Sequence, residues 1–194
     1  MNLQDDTLDQ LLIGSILGDG SFIKVNKPEH NSRLSIAHGP KQAEYAFWKH
    51  QILSYYNLAG KISKNKIVSD RYKDGFVTEY RFKSKAHSIF TSYRKMYYPC
   101  GIKTIVYENI KCLGDLGLAI WFMDDGYKHS VSYGLSACGF TQEDLHILVK
   151  VLKENFDLKA TVHAKGIIYI SASSREKFKS IVYPYILPSL RYKL

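Results

Sequence analysis

Leu12-Ile-Gly-Ser-Ile-Leu-Gly-Asp-Gly20 and Leu118-Ala-Ile-Trp-Phe-Met-Asp-Asp-Gly126 each carry an apolar, helix-like run straight into an aspartate followed by a glycine. The last turn of a helix presents free carbonyls and a partial negative charge, so a carboxylate there is disfavoured and a cation is favoured. Asp19 and Asp125 occupy that unfavourable place, and a bound metal ion would resolve the conflict. Gly20 and Gly126 fall where helices usually stop, which predicts the left-handed conformation that glycine enters without steric penalty. A single stretch of this kind reads as an ordinary Asp-Gly turn after a buried helix. Two copies of equal length, both opening on leucine, point instead to an internal repeat.

The segments around the motifs repeat as well. A first helix is expected from Asp6 or Thr7 into the first motif, then strands near 21–26 and 33–38. An amphipathic helix from Lys41 to Asn57 follows, with Ala43, Ala46, Phe47 and Leu53 on its buried side, then strands near 60–68 and 76–83 and a helix near 86–97. After the second motif the order recurs: strands near 127–131 and 134–138, a helix from Gln142 to Phe156, strands at 160–165 and 167–172, and a helix from about 174. His38-Gly39 precedes the long helix in one half and Cys138-Gly139 does so in the other. The fold class is therefore α+β, two pseudo-symmetric α-β-β-α-β-β-α halves whose antiparallel sheets carry helices on one face and leave the other free. Pro99 and Gly101 break the chain between the halves, which gives an expected division into 1–100, a linker at 101–113, and 114–194.

The first motif places Gly14 and Gly18 four residues apart on one helix face, where they permit close backbone approach. The second offers Ile120 and Asp124 at the matching places, so the two helices must pack unequally.

The 194-residue chain can bury a substantial core, and its formal net charge of +9 with a pI near 9.3 favours a polyanionic partner. Cys100, Cys112 and Cys138 form no Cys-x-x-Cys pair and are odd in number, which argues against a disulfide framework and a structural zinc site. The stretch Met1 to Gln10 is acidic, unlike a signal peptide or presequence, and no apolar run approaches the roughly 18 residues of a membrane span. These features predict an intracellular protein in a reducing compartment, a bacterial or phage-host cytoplasm or an organelle matrix, with no membrane partner.

The paired motifs, with Phe140-Thr141 before a helix and the closing Tyr183-Pro-Tyr-Ile-Leu-Pro188 and Tyr192-Lys-Leu194, resemble the LAGLIDADG homing endonuclease family. The second motif is similar to the monomeric, two-motif branch typified by the yeast mitochondrial omega intron endonuclease. The resemblance implies motif helices paired at the interface of the halves and sheets that form a DNA-binding saddle. It implies a site-specific enzyme of intron homing that cuts both strands of a long double-stranded DNA target and leaves short 3′ overhangs, without an obligate protein partner. Asp19 and Asp125 would be the catalytic and metal-ligating carboxylates, Gly18 and Asp124 would add backbone carbonyl ligands, and Lys103 and Lys193 would be the paired active-site lysines. The implied cofactor is Mg²⁺, which prefers oxygen ligands, with Mn²⁺ able to substitute. The side chain of Asp124, diverging by about 100° from Asp125 on the helix, is expected to cap or to face solvent. The rival reading is an intron RNA maturase, or a non-cleaving nucleic-acid-binding protein of the same fold.

Strand alternation sets Phe76, Tyr80 and Phe82 on one face and Glu79, Arg81 and Lys83 on the other. Lys24, Asn26, Arg33, Ser35, Lys61, Lys128, Ser130, Thr161, His163 and Lys165 are assigned to the same open faces, and the longer loop at 69–75 adds Arg71 and Lys73. Such a mixture suits phosphate and base-edge contacts in a groove that admits a β-ribbon, although any solvated sheet face would share it. His50, His87 and His146 lack metal-ligand spacing and read as helix-surface residues.

Overall fold

The computed structural model describes residues 6–27, 29–70 and 73–194. The first half runs α1 (Thr7–Leu17), β1 (Ser21–Phe22), β2 (Leu34–His38), α2 (Ala43–Tyr55), β3 (Ile62–Val68), β4 (Phe76–Lys83) and α3 (Ser88–Tyr97). A short α4 (Tyr107–Ile110) leads to α5 (Asp115–Asp125), β5 (Gly126–His129), β6 (Ser132–Ser136), α6 (Gln142–Phe156), β7 (Ala160–His163), β8 (Ile167–Ile170) and α7 (Arg175–Val182). Two 3-10 turns, Tyr183–Tyr185 and Pro188–Lys193, close the chain.

Both sheets are antiparallel and share one topology, β1-β2-β4-β3 and β5-β6-β8-β7. Their registers put Ile36 opposite Phe82 and Leu135 opposite Ile168, so one face of each sheet is a row of buried apolar side chains. Helices α2 and α6 lie against these rows. Helix α6 starts at a complete capping box, in which the Thr141 hydroxyl accepts from the Asp144 N–H and the Asp144 carboxylate from the Thr141 N–H.

Helices α1 and α5 are apolar on nearly every side, and such helices belong in the middle of a molecule. They pack against each other where glycine allows it. A Cβ on Gly14 would lie 2.6 Å from the carbonyl oxygen of Gly117 and 2.7 Å from Ile120 Cβ; one on Gly18 would lie 2.5 Å from Asp124 Oδ2. The unequal packing expected from the motifs is thus explicit: the glycines of α1 receive the larger residues of α5. Gln10 ties the start of the seam, its side chain donating to the Cys112 carbonyl (2.9 Å) and accepting from the Gly114 N–H (2.7 Å).

Several expectations need correction. Gly20 and Gly126 are not left-handed; Gly126 is extended, with φ −83°. Glycine is required there for space, because a Cβ on Gly20 would meet the Ser15 carbonyl at 2.7 Å and one on Gly126 the Phe122 carbonyl at 2.5 Å. The buried stripe of α2 is Tyr45, Ala46, Lys49, Ile52 and Leu53, while Phe47 points outward against Tyr80. Strand β1 stops at Phe22, since beyond the Ile23 N–H to Arg33 carbonyl bond (2.9 Å) the chain bends away at Asn26 and Lys27. The segment at 101–113 is packed: Ile105, Ile110 and Leu113 are buried, and the Ile105 N–H donates to Asp144 Oδ1 (2.7 Å).

Since backbone on the opposing helix cannot yield to a new side chain, Gly14→Val should destabilise the protein by about 3 kcal/mol, at the upper end of overpacking costs. Urea unfolding would measure this, and an unchanged midpoint would contradict the close seam.

Candidate active site and nucleic-acid face

The seam ends in a group of charged side chains. Helix α1 stops at Leu17, after which the Gly18 N–H bonds the Gly14 carbonyl (3.1 Å) and the Gly20 N–H the Ser15 carbonyl (2.7 Å). Asp19 therefore lies in the turn beyond the helix. Helix α5 runs two residues further in register, so Asp125 is its last residue. They lie where two helix ends meet, Asp125 half-buried and Asp19 more open, with 43% of its side chain exposed.

Asp124 departs from expectation. Its side chain diverges from Asp125 as helical geometry requires, but into the seam rather than to solvent, and it is fully buried. The opposing position is Gly18, whose missing side chain leaves room for the carboxylate. Lys49, also fully buried, reaches across from α2 and donates to both carboxylate oxygens at 2.8 and 2.9 Å. Asp124 Oδ2 in turn accepts the backbone N–H of Asp19 at 3.2 Å. The Lys49 ammonium lies 4.3 Å from the centre of the Tyr45 ring, and the Tyr45 hydroxyl donates to the Ile120 carbonyl (3.1 Å). Burying two ions is costly, and removing one partner of such a pair costs about 3–5 kcal/mol because the other is left uncompensated.

His38 completes the cluster from β2. Alternation along that strand turns Leu34, Ile36 and His38 to the core, and the imidazole sits between the aspartates, with Nδ1 3.8 Å from Asp19 Oδ2 and Nε2 3.8 Å from Asp124 Oδ1. Burial, reinforced by the Lys49 ammonium, pushes its pKa down to about 3 and keeps the ring neutral. Neither His38, named from sequence only as a mark of the repeat, nor Lys49 was among the site residues expected there. Both were accessible to it: His38 continues the core alternation of β2, and Lys49 falls on the buried stripe of α2, where a charged residue calls for a partner.

Lys193 donates to the carbonyls of Met123 (2.6 Å) and Asp124 (2.9 Å), placing a cation at the negative end of α5. Lys103 lies 5.0 Å from the centre of the Phe140 ring. Burial lowers the pKa of both lysines, opposed by attraction to Asp125, Asp124 and Asp19. Burial raises the pKa of Asp19, with a further push from Asp124, and raises that of Asp125 to about 6, with further pushes from Asp19 and Asp124. The four charged residues predicted for the centre thus share one electrostatic site. Among the described residues, the side chains whose ligand atoms lie within 4.8 Å of one another are Asp19, His38 and Asp124; Asp125 is outside that group.

In that group Asp124 is already paired with Lys49 and His38 offers a nitrogen, so the carboxylates left to a hard divalent cation are those of Asp19 and Asp125. The carboxylates of Asp19 and Asp125 hold their charge at a cost that a cation would relieve, and oxygen donors dominate. The Asp124 carbonyl, expected as a ligand, is engaged by the Lys193 ammonium, which occupies the place a cation would favour.

The open faces of the two sheets differ in chemistry. On the first, Ser35 stands opposite Lys83, Arg81 lies between Ala37 and Ser63, and Arg33, Lys61, Arg81 and Lys83 line one shallow hollow. Lys24, Asn26 and Arg33 line a second hollow beside the loop after β1, and Lys73 is exposed at the β3–β4 turn. Glu79 is held by Arg81, Nε to Oε1 at 2.6 Å, which lowers its pKa. Arg71 lies outside the described residues. On the second sheet Thr161 and His163 are on the open face as expected, but Lys128 is not. Strand β5 begins at Gly126, opposite buried Leu135, so Tyr127 and His129 take the open face and Lys128 shares the side of buried Tyr133. Ser130 and Lys165 occupy hairpin tips with φ of 54° and 64° rather than strand positions. Tyr127, His129, His163 and Tyr169 form a continuous aromatic group, with neighbouring ring centres 5.2 to 6.5 Å apart.

The profile of the LAGLIDADG DNA endonuclease family matches residues 9–178. The chain belongs to this family. The intron-encoded endonuclease ai4 of Dictyostelium discoideum is 34% identical over 140 residues, covering 69% of this chain and 84% of that protein. The cytochrome b mRNA maturase bI2 of Debaryomyces hansenii is 28% identical over 203 residues, covering 98% of this chain and 74% of the maturase. RecA of Mycolicibacterium flavescens is 29% identical over 95% of this LAGLIDADG chain, which spans only 45% of that protein's length. The structure of the homing endonuclease I-WcaI bound to its DNA recognition sequence superposes with a TM-score of 0.82 at 25% identity, over 100% of this chain and 88% of that one. A variant of I-DmoI with its target DNA, in the presence of Mn, has the same fold, with a TM-score of 0.58 at 15% identity over 94% of this chain and 98% of that one. No helix among the described residues is long and apolar enough to cross a membrane.

A carboxyl group whose pKa rises from 3.8 to about 6 on folding binds its proton more tightly in the folded state, so its stability deficit opens between about pH 4 and 6 and is complete above. Asp125→Asn should therefore melt higher than wild type at pH 8 without metal, by roughly 2–4 °C per kcal/mol recovered, and the two should converge near pH 4. A constant difference across that range would contradict the raised pKa.

Proposed function

We propose that the chain is a site-specific endonuclease that hydrolyses both strands of a long double-stranded DNA target in a metal-dependent reaction, leaving short 3′ overhangs. The observation that carries this reading is the placing of Asp19 and Asp125 at paired helix ends, where burial raises both pKa values and the charge of Asp19 adds to the rise at Asp125, with Lys103 and Lys193 beside them. Phosphodiester hydrolysis needs an activated water, neutralised phosphoryl oxygens and a stabilised leaving oxygen, and bound Mg²⁺ supplies these. Asp19 and Asp125 would hold the metal, with the Gly18 carbonyl as a further oxygen and the Asp124 carbonyl joining them only where the Lys193 ammonium gives it up. Lys103 and Lys193, with pKa values lowered by burial, would orient water and offset charge on the phosphate. Arg33, Lys61, Arg81 and Lys83 would track phosphates on one half of the target, and the Tyr127, His129, His163 and Tyr169 face would lie on the other. Similarity to I-WcaI over the full chain supports this reading.

A second reading, an RNA maturase of the same fold, is favoured by the bI2 relative, which matches nearly the whole chain. The two separate in one experiment. Selection for cleavage from a randomised plasmid library with Mg²⁺ should recover one long site, and both Asp19→Asn and Asp125→Asn should abolish its cutting. A chelator should stop the reaction, and Mg²⁺ or Mn²⁺ should restore it. An uncut library, with intron RNA retained by wild type and both variants alike, would favour the maturase.

A further inference from the structure

The two aspartates are held in place by different means. Asp125 is the last residue of α5, and its backbone is fixed by the helix. Asp19 lies beyond the end of α1, and its N–H is satisfied by Asp124 Oδ2. Asp124 is fixed by Lys49, which belongs to the opposite half and donates to both of its oxygens.

The second half has no equivalent. The buried stripe of α2, Tyr45, Ala46, Lys49, Ile52 and Leu53, has the same spacing as that of α6, Asp144, Leu145, Leu148, Val151 and Leu152. Leu148 therefore takes the place of Lys49. In the nine-residue motifs, Gly18 takes the place of Asp124. The buried ion pair thus acts on one side of the pseudo-two-fold only.

We infer that Lys49 is a positioning residue for Asp19, acting through Asp124. With one aspartate on each side of the pseudo-two-fold serving one strand, cleavage of the strand served by Asp19 then depends on an ion pair that cleavage of the other strand does not use. The inference rests on the endonuclease reading, and it makes the two scissile strands inequivalent within one chain.

The test replaces both partners, since removing one strands a buried charge whereas replacing both with apolar residues is tolerated. In metal-free Lys49→Met/Asp124→Leu, amide hydrogen exchange followed by NMR should show Asp19 losing protection by about tenfold or more, with Leu12 and Ile16 unchanged. Asp124→Asn, whose single carboxamide oxygen must serve both Lys49 and Asp19, should lose less. On a strand-labelled duplex of the selected target under single-turnover conditions, the double variant should slow one strand by about 10- to 100-fold more than the other. Unchanged Asp19 protection, or equal slowing of both strands, would overturn the inference. If wild type cuts no DNA, the endonuclease reading fails, while amide exchange still decides whether Lys49 positions Asp19.

Discussion

The close contact between α1 and α5 is the constraint on which the rest of the structure depends. Gly14 and Gly18 let two apolar helices meet at backbone distance, and that contact joins the two sheets into one core. It also brings Asp19, Asp124 and Asp125 together at the end of the seam, with Asp124 buried, Asp125 half-buried and Asp19 more exposed. There Asp19 and Asp125 lose part of their solvation and lie close to other carboxylates, which raises the pKa of both. Fold and site share one origin: the packing that stabilises the molecule creates the charge conflict at its centre.

That conflict is answered unevenly. Asp124 is neutralised internally by Lys49, and the end of α5 is capped by the Lys193 ammonium. Asp19 and Asp125 keep a charge for which the chain alone offers incomplete compensation. On the endonuclease reading, such a site is destabilising in the free protein and would become favourable on binding a cation, the usual relation between function and stability at a charged centre.

The two halves repeat one topology but not one chemistry. The first sheet offers arginine and lysine around shallow hollows, whereas the second offers tyrosine and histidine rings packed edge to face. Ionic contacts respond strongly to salt, and ring contacts do not. On the endonuclease reading, unlike faces suit a target whose two halves differ.

Much of this was legible in the chain. Apolar periodicity and the repeated motifs determined the element order, the antiparallel sheets and the pairing of the halves, because these follow from local patterns that occur twice. The candidate carboxylates and lysines were legible for the same reason: each has a counterpart at a matching place. What local pattern could not supply was decided by tertiary contact. Whether Asp124 faces water or the seam depends on the residue opposite, and Gly18 and Lys49 lie on other elements of the chain. Whether Lys128 or Tyr127 takes the open face depends on where β5 begins, since a shift of one residue exchanges the faces of a strand. The need for glycine at 20 and 126 came from neighbouring atoms rather than from backbone conformation. Sequence alone determined which groups are available and in what order; only the folded chain, by bringing distant residues to within hydrogen-bond length and excluding water, decided which of them carry charge into the site.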